Sequence, residues 1–377
     1  MGSAGEFDFA ALRRFPDVEA SNLFAVDASD RLILDEAAAS LPGERLVVIE
    51  DRYGALTLGA AALFGATGIR VHQDALSGEA ALLRNATDWG LTDRYRSCPL
   101  GEDLLSGATL VLLQLPRSLA ALDEIAGLIA RFADPSVQVI AGGRLKHMTP
   151  AMNEVLARHF ERLQVSPARQ KSRVLRASGP IRATEPASPP WPHVSRHADL
   201  DLTVCAHGAA FAGTTIDIGT RYLLEYLDRM KPDAARAIDL GCGTGVLAAA
   251  LAQRRTGLTL IASDQSAAAV ASARATMLAN GVADRVAVVR DDALGSQADA
   301  SSELILLNPP FHIGASVHAG IALKLFADAA RVLRPGGELW TVWNTHLGYR
   351  PALTRLVGPT HQVGRNPKFT VAVSVRR

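Results

Sequence analysis

The sequence predicts an α/β protein of two tandem, doubly wound units, the first of them degenerate, and three observations carry that expectation. Apolar runs of strand length alternate with Ala- and Leu-rich stretches of helical length, a glycine-rich turn follows one of those runs, and four segments of the first half repeat in order in the second. Strands that alternate with helices pair in parallel, and open parallel sheets gather ligands at the carboxyl ends of their strands.

In the first half, the apolar run Leu46-Val47-Val48-Ile49 reads as a buried strand that opens onto Glu50-Asp51-Arg52-Tyr53-Gly54. Val71-His72-Gln73-Asp74 ends a second strand, Leu110-Val111-Leu112-Leu113-Gln114-Leu115-Pro116-Arg117 a third, and Ala141-Gly142-Gly143-Arg144-Leu145-Lys146-His147 a late one. Residues 178–193 then hold Pro180, Pro186, Pro189, Pro190 and Pro192 with little hydrophobic periodicity, the composition of a semi-rigid linker. The expected division is a degenerate unit over 1–178, a linker over 179–193 and the functional unit over 194–377.

In the second half, residues 203–211 are candidate strands leading into the unit. Ala237-Ile238-Asp239-Leu240 is a buried strand, Gly241-Cys242-Gly243-Thr244-Gly245 a tight turn, and 246–252 the start of a helix. Residues 258–263 form a strand that closes on Asp264, and 266–278, Ala-rich and free of Gly and Pro, form a helix. The run 285–289 leads to Asp291-Asp292-Ala293, and 303–307 leads to Asn308-Pro309-Pro310-Phe311. A further helix over 323–333 ends at Arg334-Pro335-Gly336-Gly337.

The spacing of Asp239, Gly241, Gly243 and Gly245 is Asp-x-Gly-x-Gly-x-Gly, whereas dinucleotide loops follow Gly-x-Gly-x-x-Gly. A carboxylate there repels a pyrophosphate and suits an ammonium, so the spacing favours S-adenosyl-L-methionine over NAD. Asp264, about 20 residues further on, is placed to accept from ribose hydroxyls. Asp292 is a candidate acceptor for an adenine amine, and the Ala293 amide a donor to the ring. Asn308, Pro309, Pro310 and Phe311 combine an amide oxygen, a carbonyl whose neighbour lacks an N–H, and an aromatic face, a set suited to a planar nitrogen nucleophile. In the first half, Glu50, Asp51 and Arg52 stand where Gly241, Cys242 and Gly243 stand in the second, only the last glycine survives, and no aromatic follows Pro116. Side chains in those places fill the space a cofactor needs, and the first unit is not expected to bind S-adenosylmethionine.

Apolar residues make up 48% of the chain, and no uninterrupted apolar span reaches membrane length. No secretory signal opens the sequence, and a reducing cytoplasm is expected. Cys98, Cys205 and Cys242 are too few and too scattered for a disulfide framework or a zinc site, and the chemistry requires no metal. A net charge of +1 gives no support for a nucleic-acid partner, but Arg158, Arg162, Arg169, Lys171, Arg173 and Arg176 cluster late in the first half, with Arg365, Lys368, Arg376 and Arg377 near the end.

With the glycine loop, Asn308-Pro309-Pro310-Phe311-His312 and the duplication in hand, the chain resembles bacterial ribosomal RNA guanine-N2-methyltransferases of the small- and large-subunit type. The resemblance covers nearly the whole chain. It implies two Rossmann-like methyltransferase domains, a degenerate one followed by an active one, and methylation of a guanine exocyclic amine in ribosomal RNA or a ribosomal subunit. Phe211-Ala212-Gly213-Thr214-Thr215-Ile216-Asp217-Ile218-Gly219 is similar to the family's segment over the cofactor, which brings Asp217 to the cofactor site. Trp343-Asn344-Thr345-His346-Leu347-Gly348-Tyr349 and Asn366-Pro367-Lys368-Phe369 lean toward the large-subunit type. Asn-Pro-Pro-Phe itself is shared with adenine-N6 enzymes and, as a close variant, with glutamine-N5 enzymes. Those activities, a non-catalytic RNA-binding or ribosome-assembly factor with a relic site, and more remotely an NAD-dependent oxidoreductase are the competing readings.

Overall fold

The computed structural model describes residues 7–41, 43–182, 190–310 and 315–377, without the side chains of 315–319. Phe311, His312, Pro186 and Pro189 therefore lie outside the described residues. Two compact units divide the chain, Met1–Pro190 and Trp191–Arg377.

The first unit contains β1 (Leu46–Ile49), β2 (Ile69–His72), β3 (Tyr95–Ser97), β4 (Leu110–Gln114), β5 (Gln138–Arg144), β6 (Phe160–Val165) and β7 (Ser172–Pro180). The second begins with a hairpin of β8 (His193–His197) and β9 (Leu202–Ala206). Its main sheet contains β10 (Arg236–Leu240), β11 (Thr259–Asp264), β12 (Val286–Arg290), β13 (Ser302–Leu307), β14 (Leu333–Asn344), β15 (Thr360–Arg365) and β16 (Phe369–Val375). The two sheets share one topology, β3-β2-β1-β4-β5-β7-β6 and β12-β11-β10-β13-β14-β16-β15, with only β7 and β16 antiparallel to their neighbours. The four segments matched along the sequence are the first, second, fourth and fifth strands of each sheet in chain order, and they fill its second to fifth places. This is the mixed α/β, Rossmann-like architecture expected.

The central strands are apolar without alternation because helices cover both sheet faces. Leu304 and Leu306 of β13 pack into one core cluster, and Ile305 and Leu307 into another across the sheet. Each such side chain, fully withdrawn from water, contributes roughly 1.5–3 kcal/mol before its ordering entropy is subtracted.

Three boundaries differ from the sequence expectation. The linker does not start at 179: Gly179 and Pro180 finish β7, where Pro180 faces Phe160 at the strand's end and its missing N–H interrupts little. The helix expected over 323–333 runs Ala315–Val332 and so begins before 323. Of residues 203–211, only 203–206 are strand, and successive turns follow, in which Gly213 donates to the Ala210 carbonyl and Thr215 to that of Ala212.

Strand register makes the duplication residue-specific. Ile49 lies beside His72 and Leu113, as Leu240 lies beside Ser263 and Leu307. Gln73 therefore stands in the place of Asp264, and Gln114-Leu115-Pro116-Arg117 in that of Asn308-Pro309-Pro310-Phe311.

Candidate active site

The turn after β10 has φ of 69° at Gly241 and 53° at Gly243, and a Cβ added at either would meet nothing within 4 Å. Both open onto free space, the cradle a ligand needs for close approach to backbone. Gly245 serves packing instead, since a Cβ there would come within 2.6 Å of Met277 Cε. The first unit keeps the same backbone after losing the glycines, with Glu50 at φ 63° and Arg52 at 61°. Left-handed backbone with a Cβ costs about 1–2 kcal/mol per residue. Arg52 is exposed, so Arg52→Gly is expected to stabilise the first unit by about 0.5–1 kcal/mol in denaturant melts, less the entropy glycine adds to the unfolded chain, while Arg52→Ala should bring no gain.

Helix Val246–Arg254 starts from Gly245, which has no side chain to cap it. Asp239 supplies the cap from within β10, its Oδ2 accepting from the Ala248 amide at 3.0 Å. Its Oδ1 is buried and has no hydrogen-bond partner. Burial, opposed by the Ala248 amide and helped by the charge of Asp264, pushes the Asp239 carboxyl up to about 7. In the first unit, Asp51 caps the equivalent helix from the loop, accepting from the Leu56 and Thr57 amides at 2.7 and 2.8 Å, so that both its oxygens are engaged.

Asp264 closes β11 and braces the loop, accepting from Gly243 N at 3.0 Å and from Ser266 N at 2.9 Å. Its counterpart Gln73 is neutral and 2% exposed, its amide turned to the Arg52 and Gly78 carbonyls. Beyond β12, Asp292 is ion-paired with Lys324, a partner that sequence reasoning missed. Ala293 is buried at φ 58° and its carbonyl accepts from Ser263 Oγ at 3.0 Å. Asp291 is tied into its own turn by the Ser296 amide and hydroxyl. The order β12-β11-β10-β13 thus sets Asp292, Asp264, Gly241 and Asn308 on successive strand ends of one sheet edge.

Asn308 follows β13, with Pro309 buried and Pro310 exposed behind it. Its Nδ2 donates to Asp217 Oδ2 at 3.1 Å and to Thr220 Oγ1 at 2.9 Å. Asp217 is also the N-cap of helix Ile218–Leu224, accepting from Gly219 N and Thr220 N at 2.9 and 3.2 Å. Both amide hydrogens of Asn308 are therefore used, and Oδ1 is left as a buried acceptor without a partner. The sequence expectation brought Asp217 to the cofactor; the structure joins it to Asn308 and adds Thr220, from residues some 90 positions away that no local spacing connects. Phe311, expected to stack on a base, lies outside the described residues.

A buried acceptor on Asp239, another on Asn308 and the open faces of Gly241 and Gly243 fit S-adenosylmethionine beside an amine substrate. Among the described residues no group of three His, Cys, Asp or Glu is arranged to hold a metal ion, and no helix is long and apolar enough to cross a membrane. Several of the clustered cations are already paired, Arg158 with Asp123, Arg169 with Asp35 and Arg176 with Glu36.

Comparison with known proteins finds matches to both units. Residues 201–373 match the family described as methyltransferase small domain, and residues 4–180 match the RLMG N-terminal domain. The chain is 37% identical over 366 residues to ribosomal RNA large subunit methyltransferase G of Pseudomonas paraeruginosa, covering 96% of both chains. It is 34% identical over 383 residues to the protein of that name from Streptomyces avermitilis, covering 97% of each. Among solved structures it is similar in fold to a T. thermophilus 16S rRNA N2 methyltransferase in complex with AdoMet and guanosine, with a TM-score of 0.74, 22% identity, and 93% and 92% of the two chains covered.

Proposed function

We propose, from the premise that this chain belongs to the ribosomal RNA large subunit methyltransferase G family, that it methylates the exocyclic N2 amine of a guanine in large-subunit ribosomal RNA, using S-adenosylmethionine. The observation that carries the reading is the Asn308 amide, whose donor side is consumed by Asp217 and Thr220 and whose Oδ1 is free. An acceptor alone, at a strand end beside a cofactor cradle, selects an N–H donor from the substrate.

In this reading S-adenosylmethionine would supply an electrophilic methyl on sulfonium: the N–C bond would form as the S–C bond breaks, S-adenosylhomocysteine would leave, and the methylated amine would lose one proton to water. The chain's own groups hold and orient. Asp239 Oδ1 would receive the cofactor's ammonium, Gly241 and Gly243 leave room for its amino-acid end, Asp264 would take the ribose, and Asp292 with the Ala293 amide would take the adenine. Asn308 Oδ1 and the Pro309 carbonyl would accept the two N2–H bonds, drawing the nitrogen lone pair out of the ring and toward the methyl. Because that lone pair is delocalised in the free base, most of the rate gain would come from alignment. The base must leave its stack to reach a strand-end pocket. The first unit, with Gln73 and Gln114 where Asp264 and Asn308 stand, is read as a non-catalytic copy.

The test is incubation of the protein with labelled S-adenosylmethionine and unmodified ribosomal RNA or subunits, followed by nucleoside mass spectrometry. N2-methylguanosine in large-subunit RNA is the expected product. N6-methyladenosine, or label in protein alone, would overturn the guanine assignment.

A further inference from the structure

The two units solve one local problem in opposite ways. In each, an aspartate caps the helix that precedes the first core strand, Asp27 before Ala28–Ala37 and Asp217 before Ile218–Leu224. In each, the amide at the end of the fourth strand reaches back to that turn. Gln114 Nε2 donates to Asp30 and to Ser29 Oγ, as Asn308 Nδ2 donates to Asp217 and Thr220. Counting from the two caps, Ser29 stands in the place of Gly219 and Asp30 in that of Thr220. The difference lies in the acceptor. The Ser29 hydroxyl, whose single hydrogen has its nearer acceptor in Asp27 Oδ1, also lies 3.3 Å from Gln114 Oε1, and Gln114 is 3% exposed, so in the first unit a side chain covers the amide oxygen. In the second unit the residue at that place has no side chain, and Asn308 Oδ1 stays without a partner. A Cβ on Gly219 would stand 3.5 Å from Asn308 Oδ1, so the glycine borders the oxygen that the serine occupies in the other copy.

We propose that the turn Asp217-Ile218-Gly219-Thr220 is a positioning device for the reaction: Asp217 and Thr220 fix which end of the Asn308 amide faces the substrate, and Gly219 keeps that acceptor unquenched. The inference rests on Asn308 being the group that receives the substrate amine. An ionised carboxylate accepts and never donates, so the face of the amide turned to Asp217 must be the NH2. A flipped Asn308 would set oxygen against oxygen at 3.1 Å from Asp217 and would offer the substrate a donor, the wrong partner for an amine. Hydrogen bonding of Nδ2 to a charged acceptor also polarises the amide and makes Oδ1 the stronger acceptor. Asp217 becomes in this account a positioning residue and not a cofactor ligand.

The test compares substitutions in the full chain, with kcat and KM on large-subunit ribosomal RNA, the S-adenosylmethionine Kd from calorimetry, and Tm. Asp217→Asn and Asp217→Ser are both good helix caps, but only asparagine reaches Asn308. Asp217→Asn is expected to hold kcat within about threefold of the parent, whereas Asp217→Ser should lose about tenfold or more, with Tm and cofactor Kd alike in the two. Gly219→Ser, which recreates the first unit's arrangement, is expected to lose at least about tenfold in kcat while still binding S-adenosylmethionine. The crowding of Gly219 by Phe369 Cε1, 3.1 Å from an added Cβ, makes its Tm a necessary companion, and the Asp217 pair decides the matter if that variant unfolds. Equal kcat for Asp217→Asn and Asp217→Ser would overturn the proposal in favour of a purely structural cap. A Kd that weakens in step with kcat would overturn it in favour of a cofactor contact. Should the unsubstituted protein prove to methylate a different exocyclic amine, the guanine assignment fails while the Asn-against-Ser comparison still reports on the turn.

Discussion

Asn308→Ala is expected to lower turnover by about 10²–10³-fold while S-adenosylmethionine binds within about threefold of its parent affinity, since the loss is of one preorganised acceptor at the reacting nitrogen. The prediction separates roles that a loss of activity alone would merge. None of the cofactor candidates is bonded to Asn308 except Asp217, and that carboxylate keeps the Gly219 and Thr220 amides when Asn308 is truncated. The helix cap therefore survives, and the stability cost should be about 1–2 kcal/mol from two lost hydrogen bonds. Single-turnover rates with saturating cofactor, beside calorimetric titration of the cofactor alone, read the two quantities independently. Turnover close to the parent's would remove Asn308 from the chemistry, and with it the positioning role of Asp217 and Thr220.

Much of this site was legible in the sequence, for a physical reason. The residues at strand ends are read by their neighbours: the largely apolar runs around Asp239 and before Asp264 and Asn308 announce buried strands, and the polar groups that close them sit at the carboxyl edge. The glycine spacing was informative because Gly241 and Gly243 sit at positive φ facing open space. The duplication was legible as well, because buried parallel strands keep their apolar runs after the site they served is gone. What the sequence did not disclose were contacts closed only by tertiary packing. The bonds from Asn308 to Asp217 and Thr220 span 91 and 88 residues, and Lys324 reaches Asp292 across 32. The role of Asp51 was hidden for a related reason. It is not aligned with Asp239, yet it caps the same helix position from a different place on the chain.

That last pair marks a difference between the two units. A ligand-binding pocket must present polar atoms that the fold leaves unsatisfied, and such atoms are destabilising until a ligand arrives. In the second unit Asp239 Oδ1 and Asn308 Oδ1 are in that state. In the first, Asp51 has an amide for each oxygen and the Gln114 oxygen is covered by the Ser29 side chain. The degenerate copy has closed its polar groups onto themselves.

Asp239→Asn should expose this trade most directly, raising the stability of the cofactor-free protein while weakening the cofactor. The carboxyl is 1% exposed and its pKa in the folded protein is about 7, above the value of about 3.9 for an aspartate in an unfolded chain. The folded state therefore holds the proton more tightly than the unfolded state. The stability this group contributes is fully present below pH about 4 and is lost as pH rises through about 7. Asparagine keeps an oxygen for the Ala248 amide and never ionises, so the cofactor-free variant should match its parent near pH 4 and gain on it as pH rises, by at most about 4 kcal/mol at pH 8. With S-adenosylmethionine the order reverses. An ammonium at Oδ1 favours the ionised carboxylate, so binding near pH 6.5 should release a proton, visible as a calorimetric enthalpy that depends on the buffer's ionisation enthalpy. The asparagine variant should bind about 10–100-fold more weakly and release no proton from this group. Parallel stability curves for the two proteins from pH 5 to 8 would mean that Asp239 is ionised throughout and already satisfied within the fold, and the acceptor for the cofactor would then have to be sought elsewhere along the β10 turn.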